Sequence, residues 1–152
     1  SYSPFFHERT SQVEVLFLCQ NIPMKTNYIF KNLNPAGLRI GDCAIRAVAE
    51  ALGTTWEKAY LGLCDYGLKM RELPNSNEVW GRFLYDHNFK WQPVNRYFSD
   101  NYTVRRFCED HPHGVYVLAT GGHVVTVKDG KYYDTWDSGD EVPIYYFYRR
   151  AE

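Results

Sequence analysis

Three residues of this 152-residue chain carry chemistry when taken together: Cys43, His123 and Asp134. Cys43 sits in IGDCAIRAVAEALG, residues 40–53, at the opening of a mostly apolar helix. Backbone N–H groups and the positive end of the helix dipole converge on such a first turn. A thiol placed there gains thiolate character, and gains more beside an imidazolium. His123 follows Gly121-Gly122 and opens the strand-like run VVTV, where glycines permit close approach of another segment. Asp134 lies on the next strand-like run, and a carboxylate beside an imidazole orients it. Nucleophile, base and orienting acid are the parts that acyl transfer through a thioester requires.

The elements that must position these groups are legible in the pattern. HVVTVKD and KYYDTWD meet at Asp129-Gly130, the strongest short hairpin signal. A two-residue turn there pairs Lys128 with Lys131, Val125 with Asp134 and His123 with Trp136. Side chains alternate along a strand, so His123, Asp134 and Trp136 share a face, with His123 and Asp134 as diagonal neighbours. Trp136 then lies where it shields their contact from water. A one-residue bulge would break this geometry.

Upstream, residues 32–41 read as an irregular loop, and either Asp42 or Gly41 caps the helix that follows. Ala44, Ala47, Val48, Ala51 and Leu52 form a small-residue face, and Gly53 ends the helix. Thr54-Thr55-Trp56-Glu57 offers a capping box with Thr54 as N-cap, opening a second helix that runs to about Gly67. Ser76 or Asn77 starts a third helix, and Thr103 caps a short fourth, VRRFCED. After Gly114 the period changes to strand-like VYVLAT, HVVTVKD, KYYDTWD and PIYYFYRR. Helices followed by antiparallel strands define an α+β fold, with a central Cys-bearing helix packed on a C-terminal antiparallel sheet.

Composition bounds the function classes. Hydrophobic content of 45% with 17% aromatics suits one folded domain, placed at residues 24–152. Residues 1–23 differ in character and read as an N-terminal extension or leader, or else as an ordinary strand built on VEVLFL. Seventeen basic against 18 acidic residues give no basic face, so neither nucleic acid nor a membrane surface is an expected partner. The four cysteines, Cys19, Cys43, Cys64 and Cys108, form no CxxC pair; free thiols in a cytoplasmic chain are expected. Cys108-x-x-His111-x-His113 lacks a zinc spacing, and Asp137, Asp140 and Glu141 read as a solvated turn, so no metal and no cofactor are expected.

Cys43 opening a helix, His123 opening a strand after Gly-Gly, and Asp134-Thr135-Trp136 on the following strand resemble the papain-like cysteine peptidases. Asp134-Thr135-Trp136 is similar to the Asn-Ser-Trp of papain, with Asp in the orienting place as in the bacteriocin-processing peptidases. The chain also resembles small uncharacterised phage and prophage proteins with a GDC…R…A helix, an HVV strand and a YDTWDS turn. The resemblance spans about residues 32–148 and implies a papain-like fold, with Cys43 as nucleophile, His123 as general base and then acid, and Asp134 as orienter. It also implies an oxyanion hole formed by the Cys43 N–H and an upstream polar side chain. The family's glutamine, six residues before the cysteine, is Gly37 here; Asn34 or Asn32 is the substitute, and Trp136 the supporting cover. Arg46, one turn beyond Cys43, is read as a surface or loop-bracing arginine, the other option being a carboxylate holder.

The expected function is hydrolysis of a peptide or isopeptide bond in a peptide or protein substrate. Two alternatives stand beside it. One is an inactive papain-like binding module that uses the aromatic band around Tyr132, Trp136 and Tyr145–Tyr148 as a peptide groove. The other is an acyl transferase using the same three residues, similar to transglutaminases and arylamine acetyltransferases.

Overall fold

The protein is described by a computed structural model covering residues 26–95 and 101–149. The elements run β1 (Tyr28–Phe30), α1 (Cys43–Leu52), α2 (Trp56–Met70), α3 (Asn77–Asp86), β2 (Phe89–Pro93), α4 (Val104–Asp110), β3 (Val115–Ala119), β4 (Val124–Lys128), β5 (Lys131–Asp134) and β6 (Tyr145–Arg149). The fold is α+β, but the sheet is neither wholly C-terminal nor wholly antiparallel. Its six strands lie in the order β1-β5-β4-β3-β6-β2, and β1 pairs with β5 in parallel. β1 and β2 come from segments whose short, mixed composition gives no clear period. β2 buries only Phe89 and lies at the sheet edge, so alternation is nearly invisible in it. Residues 1–23, including the VEVLFL run and Cys19, lie outside the described residues.

The helices cover both faces of the sheet. Val48, Leu63, Trp80 and Leu84 of α1–α3 pack with Phe89, Val117 and Phe147 in one core. Val104 and Phe107 of α4 pack with Leu118, Val125 and Tyr132 in a second.

Helix α1 is where the sequence most directly sets the geometry. Its alanines bring the backbone close to the sheet: the buried Thr126 hydroxyl on β4 donates to the Ala47 carbonyl at 2.6 Å. Gly53 closes the helix at φ 63°, a left-handed position suited to glycine.

Helix α2 corrects two expectations. Thr55, not Thr54, is its N-cap and accepts from the Lys58 N–H, so Glu57 falls out of register for a capping box. The helix also passes through Gly67 to Met70. A Cβ at Gly67 would stand 2.7 Å from the Glu72 carbonyl, so this glycine permits a close chain return rather than a stop. Ser76 and Thr103 cap α3 and α4 through their side chains.

The hairpin β4–β5 has the expected register. Lys128 pairs with Lys131, Val127 with Tyr132 and Thr126 with Tyr133. Asp129 (φ 49°) and Gly130 (φ 75°) both take the left-handed conformation of the tight turn.

Candidate active site

Cys43 is the first residue of α1, and Asp42 holds the N-cap position without capping through its side chain. The Asp42 carboxylate is engaged elsewhere, accepting from Arg46 Nε at 2.8 Å and Trp56 Nε1 at 2.9 Å. The first helical hydrogen bond runs from Arg46 N–H to the Asp42 carbonyl. The N–H groups ahead of it, Cys43's included, therefore have no intrahelical acceptor and face the thiol's end of the helix.

Extending the hairpin register by one pair places Asp134 diagonal to His123, and the side chains meet there. His123 Nε2 lies 2.5 Å from Asp134 Oδ2, which leaves Nδ1 for the thiol. Asp134 is 1% exposed and fully engaged. Its Oδ2 also accepts from Ser138 Oγ at 2.6 Å, and its Oδ1 accepts from Arg46 Nη1 at 2.9 Å and the Thr135 N–H at 2.8 Å. The Trp136 ring centroid lies 4.9 Å from the His123 ring. The indole thus covers the imidazole, whose side chain is only 10% exposed.

The charges alternate along this chain of contacts: Asp42, Arg46, Asp134, His123, Cys43. Burial pushes the Cys43 thiol up, but the hydrogen bond with His123, the Val124 backbone and the positive charges of His123 and Arg46 outweigh it, and the thiol ends lowered. Burial alone would lower His123; hydrogen bonds with Asp134 and Cys43 reverse that and raise it to about 9. Burial likewise opposes ionisation of Asp134, yet hydrogen bonds from His123 and Ser138 hold it below the usual carboxylate range. Both shifts favour the thiolate–imidazolium form of the pair. Cys108 is the contrast: burial drives its thiol up to about 12.

The pair opens into a cleft of about 340 Å³ whose walls include Arg39, Ile40, Gly122 and Trp136. Among the described residues nothing beyond the chain neighbours lies within 4 Å of where a Cβ would stand at Gly121 or Gly122. Gly122 lines the cleft, and neither glycine admits another described segment. A second concavity of about 320 Å³, between the end of β2 and α4, is lined by no cysteine, serine or threonine among the described residues.

Two expectations are corrected here. Asn34 is buried, but its Oδ1 accepts from the Ala36 N–H in a local turn and it does not line the cleft. Asn32 is spent the same way, donating to the Leu38 carbonyl and accepting from the Asn34 N–H. Both asparagines shape the loop. Gly37 accounts for that loop's form: at φ 67°, with its N–H on the Asn34 carbonyl, it occupies a position costly for a side chain.

Arg46 is the second correction. It is 8% exposed and joins Asp42 to Asp134, so it holds carboxylates and is no surface arginine.

Three supports went unread in the sequence. The Asp42–Arg46 spacing is an i,i+4 ion pair and was available as a signal. Trp56 and Ser138 carry no such signal, because their contacts depend on how α2 and the 135–141 loop fold back. That loop is not simply solvated: Arg105 on α4 pairs with Asp137 and Asp140, and the Tyr132 hydroxyl donates to Asp137. Among the described residues no cluster of metal-binding side chains is present. Nor is any helix there long and apolar enough to cross a membrane.

No family model, no curated protein and no solved structure matches this chain.

Proposed function

We propose that the protein is a papain-like thiol hydrolase that cleaves a peptide or isopeptide bond. The observation that carries this reading is the continuous contact from an uncapped helix N-terminus through Cys43 to His123 and the buried Asp134, with Cys43 and His123 opening on one cleft. The Cys43 thiolate attacks the scissile carbonyl carbon and forms the C–S bond. The resulting oxyanion is met by the Cys43 N–H, where the helix dipole is positive. Collapse expels the amine, which takes its proton from the His123 imidazolium. Neutral His123 then removes a proton from water, whose oxygen attacks the thioester; the acid leaves and the thiolate and imidazolium are restored. Asp134 holds the ring so that Nδ1 stays aimed at the sulfur, and Arg46, Ser138 and Thr135 hold Asp134.

This chemistry uses no cofactor, and its partner is a peptide or protein substrate. A free nucleophilic thiol fits the reducing cytoplasm. The resemblance to phage and prophage proteins stays part of this proposal and rests on the GDC…R…A, HVV and YDTWDS motifs alone.

An electrophilic peptide probe followed by mass spectrometry tests the reading. Labelling on Cys43, lost in His123→Ala, is the expected result. Labelling spread evenly over Cys43, Cys64 and Cys108 overturns it and leaves the binding module. Capture of an added amine in the product of a cleaved substrate reassigns the second step to acyl transfer.

A further inference from the structure

The cleft has a charge that the chemistry above does not use. Arg39 lines it from the loop before α1, on the same wall system as Cys43 and His123. The other two cations of the cleft, Arg46 and His123, are neutralised by Asp42 and Asp134. Those carboxylates are 2% and 1% exposed and lie behind their partners. Among the described residues no carboxylate lines the cleft itself. Among the described residues Arg39 has no ion-pair partner; its guanidinium instead lies over the Phe30 ring, 5.8 Å from the centroid. A cation–π contact of this kind leaves the charge unneutralised. The neighbouring walls, Ile40 and Trp136, are apolar and half exposed, at 52% and 44%.

An unneutralised guanidinium at the wall of a cleft bounded by apolar groups attracts carboxylates, and no competing carboxylate lines that wall among the described residues. We infer that Arg39 selects substrates carrying a carboxylate next to the scissile bond, supplied by an acidic side chain or by a free chain terminus. The inference rests on the thiol-hydrolase reading of the same cleft.

Two small alkylating agents of nearly equal shape, iodoacetate and iodoacetamide, isolate the charge. The ratio of their rates at Cys43 is measured in the wild type, in Arg39→Gln and in Arg39→Lys. Arg39 sits in an exposed loop segment, so both variants are expected to fold. The iodoacetate-to-iodoacetamide ratio should fall by about five- to tenfold in Arg39→Gln, the size expected for one cation several ångströms away at intermediate dielectric. Arg39→Lys should retain most of it. A ratio within about twofold of wild type in Arg39→Gln overturns the inference while leaving the hydrolase reading intact. A Cys43 that reacts with iodoacetamide no faster than Cys64 in the wild type removes both.

Paired peptidyl vinyl sulfones identify the source of the carboxylate. A preference for Glu over Gln beside the electrophile assigns a side chain, and a preference for an acid over an amide C-terminus assigns a chain end. No Arg39-dependent preference in either pair contradicts the inference.

Discussion

Replacing Arg46 by methionine strands two buried carboxylates at once. Asp42 and Asp134 are 2% and 1% exposed, and the Arg46 side chain between them is 9% exposed. Removing one partner of a buried ion pair costs about 3–5 kcal/mol, because the remaining charge keeps its desolvation penalty. Here the lower end applies. Asp134 retains three donors, His123, Ser138 and the Thr135 N–H, and Asp42 retains Trp56 Nε1. A loss of about 3 kcal/mol at about 2–4 °C per kcal/mol lowers Tm by roughly 6–12 °C in a domain of this size. Thermal unfolding followed by circular dichroism measures it. Adding Asp42→Asn to Arg46→Met removes one stranded charge and should recover part of the loss. A single variant that melts within about 2 °C of the wild type refutes the reasoning.

Ser138→Ala removes a buried donor 2.6 Å from Asp134 Oδ2 and should cost about 1.5–3 kcal/mol in denaturant unfolding, as for a hydrogen bond to a charged group. A loss under about half a kcal/mol would place it among neutral surface changes and contradict the contact. The ionisation of His123 gives a signed pH dependence, best read on a Cys43→Ala background where the thiol cannot titrate. Asp134 still raises the imidazole there, though less than the wild type's about 9 because the Cys43 contributions are gone, so the stabilisation is full below the ordinary value of 6.5 and is lost as pH climbs through that raised value. The margin over the His123→Ala double variant should therefore shrink across that window. A margin that grows with pH would reverse the assignment.

How far the sequence carried depended on whether a feature was local. The Asp129-Gly130 turn fixes its own register, and from that register the meeting of His123, Asp134 and Trp136 follows without tertiary information. The placement of Cys43 at a helix start was legible because Gly41-Asp42 and Gly53 bracket ten helical residues. The supports of Asp134 were not. Ser138 reaches back from a loop whose path is set by Arg105, Asp137 and Asp140, three residues with no fixed spacing relative to the site. The edge strands β1 and β2 escaped for a related reason: three and five residues long, they are defined by the neighbour they pair with rather than by their own alternation. Gly67 read as a stop because a glycine near a helix end usually is one; only the approach of Glu72 and Pro74 shows its other use.

The account stands on Cys43 being a thiolate held by His123, and the pH dependence of its alkylation tests this most directly. Iodoacetamide labelling of Cys43, followed by peptide mass spectrometry, should lose less of its rate between about pH 8 and about pH 6 in the wild type than in His123→Ala. In His123→Ala it should fall steeply over the same range, following the thiolate fraction of a thiol with an ordinary pKa near 8.5. Equal labelling rates for wild type and His123→Ala at about pH 6, or a wild-type Cys43 that titrates alongside Cys64, would contradict it.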